Sequence, residues 1–167
     1  MNKTLYFGFL FIFLLLLQVF VLNNILFLGY INPYLYIAFV FHYPLKENRF
    51  PFLLVSFLLG LSIDFFLDSG GIHAFSTLSI AYLRLIFVKI YFRKIPLDYP
   101  FFKLQSESFG KVFNYVVTLT VVHHFILFTF TNFSFQNISH VLLNTIYSSV
   151  FTLIVFFLGT YIFRKIE

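Results

Sequence analysis

Residues 60–75 read GLSIDFFLDSGGIHAF, and the reading of this stretch decides the fold. Asp64 and Asp68 stand one helical turn apart among Leu, Ile and Phe; the run breaks at Gly70-Gly71 and resumes at Ile72. Long apolar segments on either side of a two-glycine break predict two helices joined by a tight turn. What solvent surrounds that hairpin, and why it carries two carboxylates, are the questions that organise the rest of the chain.

Composition answers the first. Of 167 residues, 60% are hydrophobic and 10% charged, with a mean hydropathy of +0.94, whereas a soluble domain carries about 25% charged residues. The chain therefore reads as an all-α integral membrane protein. A single domain over 1–167 is expected, because the longest stretch without a strong apolar run, 93–111, leaves no room for a soluble catalytic module. The absence of cysteine excludes disulfides, a thiol nucleophile and thiolate metal sites. The net charge of +5 is read as loop topology and not as nucleic-acid binding, since no basic stripe lies on a soluble surface.

With roughly 20 apolar residues needed to cross about 30 Å of hydrocarbon, six spans are predicted, at about 4–22, 25–43, 50–67, 72–92, 112–131 and 138–163. The first follows Lys3 like a secretory signal, but its core is too long and no small-residue cleavage site precedes Asn23-Asn24, so it reads as retained. The second contains Gly29 and Asn32-Pro33, and Pro33 lacks the N–H of a continuous helix, which makes this the span where a break or re-entrant turn is to be sought. If all six cross from a cytoplasmic N-terminus, Lys3, Lys46, Arg49, Arg93, Lys94, Lys103, Lys111, Arg164 and Lys165 all fall inside. The outer connections, at Asn23-Asn24, 68–71 and 132–139, hold no Lys or Arg. That asymmetry is the positive-inside pattern and is expected to place both termini in the cytoplasm; the alternative count is five spans with an external C-terminus.

Polar and small residues recur at helical spacing in three spans: Ser56, Gly60, Asp64 and Asp68; His73, Thr77 and Ala81; His140, Asn144, Ser148 and Thr152 with Ser149 beside it. Such lines let helices approach and hydrogen-bond, so the third, fourth and sixth spans are expected to form the inside of the bundle. At 1.5 Å per residue, Asp64 lies roughly 20 Å from the inner end of its helix and Asp68 close to the outer boundary. A buried Asp64 needs a partner, and His73 or a backbone N–H freed by Gly70-Gly71 is at the right level. Arg84 lies about 10 Å deeper than Asp64, so it is expected to snorkel inward with Lys89 towards lipid phosphates. An Asp64→Asn change is expected to keep the fold if the native carboxyl is neutral or merely hydrogen-bonded, and Asp64→Leu to orphan the partners.

Chemistry finds little support. Two aspartates at i, i+4 on one helix do not face each other as a proteolytic carboxylate pair must. His123 and His124 are adjacent and point about 100° apart, which reads as interior hydrogen bonding and not chelation. No catalytic residue, metal ligand or cofactor is expected.

The run LLGLSIDFFLDSGGIHAFS, preceded by LQVFVLNNILFLGYINPYLYIAFVFHYPL, resembles the MreD rod-shape-determining family, especially its Bacteroidetes-like members, over most of the chain. The resemblance rests on Gly60-x-x-x-Asp64 followed by Gly71-x-His73-Ala74, and on the Asn32-Pro33 step after a short outer loop. It implies a multi-pass protein of the bacterial inner membrane with no catalysis of its own. Its partners would be MreC and, through it, MreB, RodA and a class B penicillin-binding protein, besides membrane lipids. It also implies a compact six-helix bundle similar to the substrate-binding components of energy-coupling-factor transporters, which supplies an alternative function, the binding of a vitamin-like ligand. Gly60, Asp64, Gly71 and His73 are the expected structural motif; Asp68, Gly70 and His73 are the expected contact with a partner at the outer turn.

Overall fold

In the computed structural model, which describes residues 3–25, 31–46, 48–94, 102–132 and 138–164, the architecture is decided by a segment whose helical part is too short to cross a membrane by itself. Residues 31–34 are non-helical, Leu35–Ile37 form one 3-10 turn, and α2 (Ala38–His42) adds little more than one α turn. Tyr36, Ile37, Phe39, Val40 and Phe41 are each at most 1% exposed, so this element has no lipid-facing side. A helix that is apolar all round belongs in the centre of a bundle.

Five long helices surround it. They are α1 (Lys3–Leu16), continued by a π turn at Leu17–Val21 and a 3-10 turn at Leu22–Asn24; α3 (Phe50–Leu67); α4 (Ile72–Phe92); α5 (Phe109–Asn132); and α6 (Ile138–Arg164). Each is long and apolar enough to span a membrane. The chain is thus a multi-pass membrane protein, and among the described residues it is all-helical. Every one of the five meets the central segment. Phe39 packs edge-on to Phe7 and Phe11 of α1, Tyr43 stacks on Phe52 of α3, and Tyr36 meets His73 of α4. Phe41 lies between Tyr115 of α5 and Phe156 of α6.

The second predicted span is therefore no continuous helix. Where its backbone is irregular, other elements supply the hydrogen bonds that lipid cannot. Gln18 Nε2 in the π turn donates to Pro33 O at 3.1 Å, and Tyr34 N donates to Thr152 Oγ1 of α6 at 2.9 Å. Residues 31–46 carry the chain from the neighbourhood of Gln18 and Thr152 to that of Phe7 and Phe52, so they return it between α1 and α3.

Around this axis α3 packs on α4, α4 on α5 and α5 on α6. The expectation that the third, fourth and sixth spans line the interior needs correction. α4 and α5 are the more enclosed pair, with 39% and 44% of their apolar windows buried against 33% for both α3 and α6. Alternating direction puts Lys46, Arg49, Lys89, Lys94, Lys103 and Lys111 at one end of the bundle, the basic end, and the 68–71 turn at the other.

Candidate functional site

The turn end is organised by Asp64. α4 begins at Ile72 with Gly71 as its N-cap, and glycine has no side chain to satisfy the first free N–H groups. Asp64, from the neighbouring helix, supplies what Gly71 lacks: Oδ1 accepts from His73 N at 2.9 Å and Oδ2 from Ala74 N at 2.7 Å. Oδ1 also accepts from Ser69 Oγ at 2.6 Å. The carboxylate thus stands at the positive end of the α4 dipole, where negative charge is favoured. The backbone of Asp64 is used as well, since its carbonyl receives the N–H groups of Asp68 and Ser69 and closes α3.

Gly60 makes that approach possible. A Cβ built on it would lie 2.5 Å from His73 O and 2.6 Å from Ala74 Cα, both main-chain atoms that cannot rotate away. Gly70 and Gly71, with φ of +68° and +92°, and Asp68, with φ of +52°, make the turn from three left-handed residues. Gly60, Asp64, Gly71 and His73 are accordingly brought together in one hairpin. Asp68 and Gly70 are exposed at its tip.

His73 is not exposed with them, contrary to the expectation of a rim contact. It is 5% exposed, and its Nδ1 lies 2.9 Å from Tyr36 Oη in the bundle centre. The hydroxyl of Tyr36 is shared with His123 Nε2, also at 2.9 Å. A phenol has one hydrogen, so one histidine accepts it and the other donates its own N–H to the oxygen. Beside this triad a second chain has a fixed sense. His124 Nδ1 is 2.8 Å from the Thr120 carbonyl, which can only accept, so Nδ1 carries the hydrogen. In a neutral imidazole Nε2 is then an acceptor, and Thr152 Oγ1, 3.1 Å away, donates to it while accepting from Tyr34 N. The two histidines thus fasten α5 to the central segment, directly through Tyr36 and indirectly through Thr152 of α6.

Arg84 also departs from expectation. It does not snorkel; it is 1% exposed, while Lys89 is exposed. Its Nη2 donates to Tyr43 O at 2.5 Å and Phe41 O at 3.3 Å, and its Nε to Tyr115 Oη at 3.1 Å. The guanidinium therefore caps the carbonyl end of α2, the negative end of its dipole, and lies 5.0 Å over the Phe52 ring. Gln18, Tyr34, Tyr36 and Tyr115, which complete these networks, carry no motif; only the Asn32-Pro33 break beside Tyr34 hinted that backbone groups there would need side-chain partners.

Among the described residues, no three His, Asp or Glu side chains converge as metal ligands. His140 is exposed and stands apart from the network. Comparison with protein-family models, with curated proteins and with solved structures returned no match.

Proposed function

We propose that the chain is a non-catalytic scaffold of the MreD type, seated in the bacterial inner membrane and binding MreC and, through it, the rest of the cell-elongation machinery. The resemblance in residues 60–75 supports this reading, and one structural observation favours it over a vitamin-binding transporter component. The axis of the bundle, where a small-molecule binder keeps its cavity, is occupied by Tyr36, Ile37, Phe39, Val40 and Phe41. In the centre Tyr36 binds His73 and His123 and Thr152 binds His124, and large apolar side chains face outward, including Phe9, Phe65 and Tyr161. Helices in lipid recognise one another by such faces and by a few polar contacts at the rim.

The test is expression in a rod-shaped bacterium depleted of its own MreD. The scaffold reading expects rod shape to be restored and MreC to co-purify with the tagged chain in mild detergent. Failure of both, together with saturable binding of a vitamin by the purified protein, would reverse the choice between the two readings.

A further inference from the structure

Arg84 has one nitrogen, with its two N–H donors, left over. Its Nη1 is buried without a partner, and its other contacts are to neutral oxygens, since the ion pair among the described residues joins Lys94 to Glu107. Beside it a cleft opens at the basic end, between the chain entering α3 and the middle of α4. Pro44, Lys46, Asn48, Arg49, Phe52 and Arg84 line it. Two of these, Lys46 and Asn48, are exposed; Arg49 is half-buried with its guanidinium 5.8 Å over the Tyr82 ring. Three cations thus surround one cleft, and none of them has a carboxylate partner among the described residues.

We propose that this cleft is a binding site for a phosphate group. A buried guanidinium without an opposite charge is costly, and an anion beside Nη1 would offset that cost. The size of the cleft says how the anion sits. It has room for about one water-sized sphere, which is the size of a single phosphate oxygen. One oxygen enters towards Nη1 and the remaining oxygens stay at the mouth between Lys46 and Arg49, where the forked guanidinium of Arg49 and the ammonium of Lys46 donate to them. A carboxylate holds two oxygens in one plane, whereas a phosphate holds four tetrahedrally around phosphorus, two of them non-bridging even in a diester, so three cations lining one cleft suit the phosphate. Phe50 and Tyr82, 70% and 58% exposed, flank this region and offer apolar contact to an acyl chain. The inference is independent of the scaffold reading.

The full chain is purified in a non-ionic detergent and its thermal unfolding followed with phosphatidylglycerol, with diacylglycerol as the phosphate-free lipid, and with inorganic phosphate alone. Phosphatidylglycerol is expected to raise Tm in a saturable way and diacylglycerol to leave it unchanged. If inorganic phosphate reproduces the shift, the physiological ligand is a soluble phosphate; if only the phospholipid does, it is a headgroup. Because Arg84 also holds α2, the variant used is Lys46→Gln with Arg49→Gln. It is expected to keep the ligand-free Tm and to bind at least ten-fold more weakly. Equal shifts with both lipids and none with phosphate, or an unchanged response in the double variant, would overturn the proposal. Glu47, outside the described residues, provides a further test. If Glu47→Gln lowers the ligand-free Tm and creates a phosphate response that the parent lacks, the anion is the chain's own carboxylate and the proposal fails.

Discussion

Asp64 and Arg84 are two buried charges on adjacent helices, and they do the same kind of work with opposite sign. Asp64 places a carboxylate at the N-terminus of α4; Arg84 places a guanidinium at the C-terminus of α2. Each neutralises a helix end that lipid would leave unsatisfied. The difference is in what remains. Both oxygens of Asp64 accept backbone hydrogens, with Ser69 adding a third donor, whereas Arg84 keeps Nη1 free beside a cleft. The turn end is closed upon itself and the basic end is open to a ligand. A buried charge in a membrane bundle is therefore no functional signal until its hydrogen bonds have been counted.

Replacing Asp64 is the strongest way to break this comparison. Asp64→Leu leaves the His73 and Ala74 N–H groups buried without acceptors, a loss of about 2–6 kcal/mol at about 1–3 for each. Asp64→Asn is not the harmless change that hydrogen-bonding capacity alone implies. The amide oxygen replaces one carboxylate oxygen, but the NH2 group then faces a backbone donor, and a loss of about 1–3 kcal/mol is expected. Unfolding of the purified variants in detergent ranks the two. Wild-type stability in the Asn variant would mean that one of the two backbone bonds contributes nothing.

Gly60→Ala comes next. The added methyl meets main-chain atoms of α4 at under 3 Å, so the hairpin must open or bend. A loss of about 1–3 kcal/mol is expected, read in the same unfolding measurement. It should shrink in the Asp64→Leu background, where α3 and α4 are already free to separate. Full additivity would show that the two residues act on separate contacts.

The unequal yield of the sequence follows from the same physics. Ser56, Gly60, Asp64 and His73, Thr77, Ala81 could be read as facing lines because a helix repeats its face every 3.6 residues and small residues mark close approach. The central segment could not be read this way, because a chain apolar on every side looks like any lipid-facing span. Its true place is fixed by Gln18 with Pro33 and Tyr34 with Thr152, pairs that are 15 and 118 residues apart. Asp64 and Arg84 have separate partners, and those of Arg84 are chiefly the carbonyls of Phe41 and Tyr43; backbone atoms leave no trace in a sequence. For His73 the helix phase was decisive. Asp64 holds its main chain, and the side chain then points to Tyr36 and away from the rim.

The smallest expected effect sharpens the contrast between the two aspartates of the opening stretch. Asp68 follows Asp64 by four residues and caps the end of the same helix, yet it is exposed and its conformation, φ of +52°, is what the turn requires of it. Asp and Asn tolerate this left-handed region better than other residues with a Cβ, and glycine tolerates it best. Asp68→Gly removes the carboxylate and relieves the backbone, so stability is expected to stay within about 0.5 kcal/mol of the parent. Asp68→Val keeps the size but forces a branched side chain into the left-handed region, and is expected to lose about 1–2 kcal/mol. That pair separates conformation from charge, which an alanine change would confound. The glycine variant then becomes the clean probe of the outer turn as a partner contact, because nothing else in the fold should change. Loss of MreC co-purification from a fully stable Asp68→Gly protein would assign the exposed carboxylate to the partner. Retention would move the contact to the apolar helix faces or to the basic end, and Asp68 would stand as a residue chosen for its backbone alone.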